Sequence, residues 1–158
     1  MTRVHASPMR NPSRTEIASG RTETVVLGAL LRHQGERSLL TDWFGARPRL
    51  VLVDTRLEVL RVVRRMDVRV VVIPPFDGRG VPTAPLIERL LDERPGVGVV
   101  LVTPFPFPQD EGVALLAAVR AGACPLVAPT ADALWSEIAV HLLSGRRSRT
   151  RLVAPDRR

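Results

Sequence analysis

The chain holds 158 residues with a formal net charge of +7 and 45% hydrophobic side chains, and all 23 of its basic residues are arginine. That length suits one domain able to bury roughly two-thirds of its unfolded surface. No apolar run reaches the roughly 18 residues of a membrane span and the N-terminus carries no signal-like apolar segment, so a soluble cytoplasmic protein with no membrane partner is expected. The lone cysteine, Cys124, excludes an internal disulfide. His5, His33 and His141 are not spaced to make a ligand cluster with it, so neither structural zinc nor another cofactor is expected.

The charge is unevenly placed. Residues 24–144 carry 13 Arg against 13 acidic side chains, residues 1–23 carry +2, and residues 145–158 carry +5. A basic protein invites a nucleic-acid reading, but this excess lies on the ends and the body is neutral. Nucleic-acid binding is therefore expected only weakly, through Arg146, Arg147, Arg149 and Arg151, which also read as a solvated tail.

Residues 1–22 have no hydrophobic period and many turn formers (Ser7-Pro8, Asn11-Pro12-Ser13, Ser19-Gly20), which predicts a disordered leader. An Arg-rich disordered tail is expected over 145–158, leaving a folded unit over 23–144. Thr24–Leu27 reads as a first strand closed by Gly28. Residues 35–44 place Leu39, Leu40, Trp43 and Phe44 on one helical face, stopped by Gly45. Leu50–Val53 is a second strand ending at Asp54, and a helix follows with Leu57, Val59, Leu60, Val63 and Met66 on its apolar stripe.

Val68–Ile73 is nearly unbroken β-branched sequence closed by Pro74 and Pro75, the signature of a strand buried on both faces in a parallel sheet. A doubly wound domain places its ligand or reactive group just past the carboxyl ends of such strands. Pro74, Pro75 and Phe76 can neither ionise nor hold a metal, and Asp77 is the first acidic residue after the strand. A helix with Thr83 as N-cap and Pro85 in its first turn buries Leu86, Ile87, Leu90 and Leu91. Val97–Val102 is the fourth strand, with Thr103 at its carboxyl end.

Three prolines in Pro104–Pro108 predict a stiff loop carrying Phe105 and Phe107, which could cap a ligand pocket, dock a partner or pack over the sheet edge. Asp110 should cap a helix bearing Val113, Leu115, Leu116 and Val119 and ending at Ala121-Gly122-Ala123. Pro125–Ala128 is a short fifth strand, and Thr130 caps a last helix over 131–143. Five strands alternating with five helices predict an α/β, doubly wound, five-stranded parallel (βα)5 three-layer sandwich.

This order of features resembles the CheY-like, flavodoxin-like receiver domain of bacterial response regulators over residues 24–144. The resemblance is carried by the fourth strand ending in Thr103, by the helix end Val119-Arg120-Ala121-Gly122-Ala123, and by Leu126-Val127-Ala128-Pro129 before the last helix. Arg94-Pro95-Gly96-Val97 and the Leu-Leu helices are similar to the subgroup that carries a LuxR-type (NarL-like) DNA-binding domain.

Receivers hold Mg²⁺ and accept phosphate through an acidic pair after the first strand, an Asp ending the third and a Lys after the fifth, since metal and phosphoryl charge need oxygen ligands and a cation. Those places fall here on Gly28 and Ala29, on Val72, Ile73 and Pro74, and on Ala128. Only the switch hydroxyl, Thr103, matches. Asp77 as a displaced acceptor would still lack the acidic pair. The resemblance thus implies a degenerate pocket in a pseudo-receiver: a non-enzymatic, phosphorylation-independent regulatory module of bacterial transcription or signalling, acting by homodimerisation or by docking on a partner regulator.

A small-ligand sensor using an apolar pocket above Ile73 and Thr103 is the alternative. Asp54 could bind a nucleotide ribose only beside a Gly-rich turn, and Gly28-Ala29-Leu30-Leu31-Arg32-His33 is not GxGxxG, so it reads as an N-cap. Cys124, before a proline and without a basic setting, reads as a buried inert thiol. On the last helix Leu134, Ile138, His141 and Leu142 form one apolar stripe and Trp135 and Leu143 begin another. That excess predicts a dimer interface of Leu134, Trp135, Ile138, His141 and Leu142, the alternative being that both faces belong to one wide core contact.

Overall fold

The apolar runs form β1 (Thr24–Ala29), β2 (Arg49–Val53), β3 (Asp67–Ile73), β4 (Gly98–Thr103) and β5 (Cys124–Val127). Between and after them stand α1 (Gln34–Thr41), α2 (Arg56–Arg65), α3 (Ala84–Glu93), α4 (Gln109–Ala121) and α5 (Ala131–Ser144). The structure, a computed structural model, describes residues 24–31, 34–42, 48–103, 109–127 and 129–144, the side chains of 109–111 excepted. The expected leader over 1–22 and tail over 145–158, with Arg146, Arg147, Arg149 and Arg151, lie outside the described residues, as do Trp43, Phe44, Phe105, Phe107 and Ala128.

The five strands form one parallel sheet in the order β2-β1-β3-β4-β5. Side chains alternate across it. Val25, Leu27, Ala29, Val71 and Ile73 pack with Val59 and Val63 of α2, Ile87 and Leu90 of α3, and Ala118 of α4. Val26, Val70, Val72, Val100 and Val102 pack with Leu40 of α1 and Leu134, Trp135 and Ile138 of α5. Both faces of the central strands are thus covered, which is why their sequence shows no polar alternation. A register shift between Val25 and Val26 against β3 accommodates an extra residue, and Arg69 stands exposed there while Val68 and Val70 stay buried. This is the doubly wound three-layer sandwich expected.

Local signals were rearranged in several places. Thr55, not Asp54, caps α2: its hydroxyl accepts from the Glu58 N–H at 3.2 Å, and Asp54 instead pairs with Arg37 at 3.1 Å. Thr83 precedes α3 in helical geometry without a side-chain cap bond, and its hydroxyl donates to the Pro74 carbonyl at 2.6 Å. The α4 helix begins at Gln109, one residue before its expected cap Asp110, whose side chain is outside the described residues. Thr130 does cap α5, accepting from the Ala133 N–H at 3.1 Å.

At the end of α4 Gly122 adopts φ +120°, a region closed to side chains, and a Cβ there would lie 2.6 Å from Leu91 Cδ1. Glycine is demanded twice over, by backbone and by the packing of α3. The strand β5 begins at Cys124 rather than Pro125, so the cysteine is paired within the sheet, opposite Val100.

Candidate functional site

The carboxyl ends of β1, β2 and β3 open on a cleft of about 350 Å³ lined by Leu30, Asp54, Thr55, Arg56, Asp77, Gly78 and Arg79. Its lining is charged and includes neither Ile73 nor Thr103, which are 0% and 3% exposed, and the loop over 104–108 that follows Thr103 lies outside the described residues. The lining arginines come from the start of α2 and from the loop between β3 and α3. The carboxylates come from the end of β2 and the same loop.

Gly28 and Ala29 lie within β1, with Gly28 opposite Leu52 and Val72. A Cβ on Gly28 would stand 2.5 Å from Leu52 Cδ2, 3.1 Å from Leu40 Cδ1 and 3.2 Å from Leu31 Cδ1. Leucine methyls therefore crowd the point from which any side chain at this position would start. Ala29, Val72 and Ile73 are fully buried, and the Pro74 carbonyl is taken by Thr83. Just past Ala29, Leu30 holds φ +60°, a left-handed conformation that costs a leucine roughly 1–2 kcal/mol. Burial of its side chain and a 2.9 Å bond from its N–H to the Val53 carbonyl hold it there.

Asp77 is a structural carboxylate. One oxygen accepts the Arg79 and Val81 N–H groups, both at 2.9 Å, and the other accepts Arg56 Nε at 2.9 Å. Arg56 also donates to the Val81 and Pro82 carbonyls, so one guanidinium ties the loop to the start of α2. Burial pushes the Asp77 carboxyl up, but the backbone bonds from Val81 and Arg79 and the Arg56 guanidinium outweigh it, leaving its pKa below the ordinary 3.8. The second carboxylate, Asp54, accepts from Arg37, which also donates to the Leu31 carbonyl. Each acid in the cleft is therefore neutralised by an arginine, an arrangement that suits holding a loop and does not suit collecting Mg²⁺, which needs oxygens left to it.

Thr103 ends β4 buried, opposite Val127 of β5. Ala128, where the resemblance would set the receiver lysine, and the loop aromatics Phe105 and Phe107 lie outside the described residues.

The residues expected at a dimer interface on α5 are placed otherwise. Leu134, Trp135, Ile138 and His141 are buried against the sheet and Leu142 is half-buried, packed on the same core. The helix turns outward with Val140 and Leu143, the latter 89% exposed. A wide helix–sheet contact accounts for the apolar excess: one helix lies over both β3 and β4 and also meets α1.

One cluster was missed in the sequence. Cys124 of β5 and Glu137 and His141 of α5 bring one ligating atom each within 4.8 Å of one another, the one such grouping among the described residues. The expectation that Cys124 and the histidines make no ligand cluster is thus corrected for His141, while His5 and His33 lie outside the described residues. Glu137 and His141 sit one helical turn apart, a spacing visible in sequence, but only the fold adds Cys124. The Cys124 thiol donates to Glu137 Oε2 at 3.2 Å, and the same oxygen lies 3.3 Å from His141 Nε2. Burial, then the carboxylate, push the thiol pKa up to about 11. With a carboxylate between thiol and imidazole, Cys124 stays protonated at neutral pH and is no activated nucleophile, though it is half-buried rather than fully enclosed.

No family model matches the chain, and no curated protein matches it by sequence. Solved structures do match it in fold. A CheY-like protein, TadZ, from Pseudomonas aeruginosa PAO1 is 25% identical with a TM-score of 0.58, covering 73% of this chain and 98% of that one. The signal receiver domain of an HD domain-containing protein from Pseudomonas fluorescens Pf-5 is 17% identical with a TM-score of 0.62, over 83% of this chain and 94% of that one. NtrX from Brucella abortus, 13% identical with a TM-score of 0.56, is matched over 87% of this chain, which spans only 30% of that protein's length. Strand order, layering and these likenesses together give the chain the fold of the CheY-like receiver domains.

Proposed function

We propose that this chain is a pseudo-receiver: a non-enzymatic regulatory module whose output does not depend on phosphoryl transfer and runs instead through docking, on a second copy of itself or on a partner regulator. The observation that carries the reading is the crowding and pairing at the carboxyl ends of β1 and β3. Leucine methyls crowd Gly28, Ile73 and Pro74 are buried at the end of β3, and Asp77 is held by Arg56 and two backbone amides. A carboxylate held this way is a poor nucleophile toward phosphorus and a poor magnesium ligand. The receiver-like fold supports a place in response-regulator signalling.

Incubation with acetyl phosphate and Mg²⁺, or with beryllofluoride and Mg²⁺, should leave the intact mass and the thermal midpoint unchanged. A stable acyl-phosphate adduct, above all one lost in Asp77→Asn, would sink the reading.

A further inference from the structure

We propose that Cys124, Glu137 and His141 form a site for one zinc-class divalent cation that clamps the edge strand β5 to α5. The donor atoms are a thiol sulfur, a carboxylate oxygen and an imidazole nitrogen. This mixed set suits zinc and its borderline neighbours, whereas magnesium and calcium take oxygen alone.

The geometry is close to what such an ion requires. With metal–sulfur bonds of about 2.3 Å and metal–nitrogen or metal–oxygen bonds of about 2.0–2.1 Å, the edges of a tetrahedron measure about 3.3–3.6 Å. The sulfur–oxygen edge is 3.2 Å and the nitrogen–oxygen edge 3.3 Å, with all three donors within 4.8 Å of one another. The remaining edge, sulfur to nitrogen, lies within 4.8 Å and has to shorten to about 3.6 Å on binding.

The imidazole is pre-placed by an independent feature. A Cβ on Gly98, the first residue of β4, would stand 2.7 Å from His141 Nδ1 and 2.9 Å from His141 Cβ. The ring thus lies against bare backbone, a place only glycine leaves open, and it presents Nε2 to Glu137. Holding one ligand rigidly while the other two sit on partly exposed side chains gives a site that can load from solvent. The fourth position falls to water, as in zinc sites with three protein ligands. On binding, the sulfur–hydrogen bond breaks, the proton leaves to solvent and a thiolate–metal bond forms. One anionic thiolate and one carboxylate then balance the ion's two charges. The inference is independent of the proposed pseudo-receiver role, since it uses none of the residues of the cleft.

The full chain, reduced and freed of metal with a chelator, would be titrated with Co²⁺ as a coloured probe and with Zn²⁺ in competition. One Co²⁺ per chain with a thiolate-to-cobalt charge-transfer absorption is expected, displaced by Zn²⁺. Cys124→Ser should remove that absorption, and Glu137→Gln should lower the Zn²⁺ affinity by about 10-fold or more while leaving the circular dichroism unchanged. Because His141 is buried and its replacement risks the fold, the decisive variants are those two. No Co²⁺ uptake, uptake without a thiolate band, or Zn²⁺ affinity unchanged in both variants would each overturn the proposal.

Discussion

Asp77 shows how one side chain decides between two roles. Its folded carboxyl lies below the ordinary 3.8, so on acidification the unfolded chain binds the proton first. The stability it contributes is therefore complete above about pH 4 and is lost as pH falls through the folded value. Asp77→Asn keeps an acceptor for the backbone but loses the charge facing Arg56. It should cost about 1.5–3 kcal/mol near neutral pH, the range for bonds to charged groups. Urea unfolding of both proteins should show the gap closing in acid. A gap that persists in strong acid would mean that packing, not charge, is what Asp77 supplies.

Gly28 carries the complementary test at the same scale. Leu52 is half-buried and its terminal methyl can swing away, so Gly28→Ala should cost only about 1–3 kcal/mol by crowding Leu31 and Leu40. Gly28→Asp restores an acid where a receiver has one, yet it buries a carboxylate among three leucines. A loss of about 3–5 kcal/mol, with no gain of Mg²⁺ binding, is expected from denaturant titrations with and without the ion. If Gly28→Asp folds as well as Gly28→Ala and takes up Mg²⁺, the pocket is dormant rather than closed.

Among elements, strands and helices differ in how much the chain reveals. β1, β3 and β4 are buried on both faces for most of their length, so each writes itself as a nearly unbroken apolar run, and the layered fold can be read from their alternation with amphipathic helices. Caps are less legible, because Asp54-Thr55 offers two adjacent side-chain oxygens and only backbone geometry chooses Thr55. The face of α5 was misjudged for a related reason. A stripe count cannot tell a helix that spans two strands from one with a free apolar side, and Trp135 lies 5% exposed beneath α5. The Cys124 cluster is the least legible, since Cys124 and Glu137 are thirteen positions apart and meet only once β5 and α5 are both placed. That Gly28 and Ala29 are not acidic is plain in the sequence; that leucine methyls crowd Gly28 is not.

For the whole molecule, five of the seven large apolar side chains left exposed among the described residues lie on α4, β5 and α5, the other two being Leu57 of α2 and Val81 before α3. Val113 and Leu116 of α4, Val127 of β5, and Val140 and Leu143 of α5 are all exposed, and β5 is the terminal strand. An open edge strand invites pairing, but Pro125 lacks an N–H and interrupts any added ladder. At this edge association through helix faces is then favoured over sheet extension, and a stable contact would have to cover about 800 Å² on each copy. Sedimentation at micromolar concentration should give a dimer. Val140→Glu with Leu143→Glu should give a folded monomer whose stability stays within about 0.5 kcal/mol per site, as expected for surface positions. Trp135→Glu should instead weaken the fold by about 3 kcal/mol or more, because the ring belongs to the core. A wild-type protein that sediments as a monomer would remove self-association and leave docking on a different partner as the route of output. A dimer unaffected by the paired glutamates would move the interface away from α5.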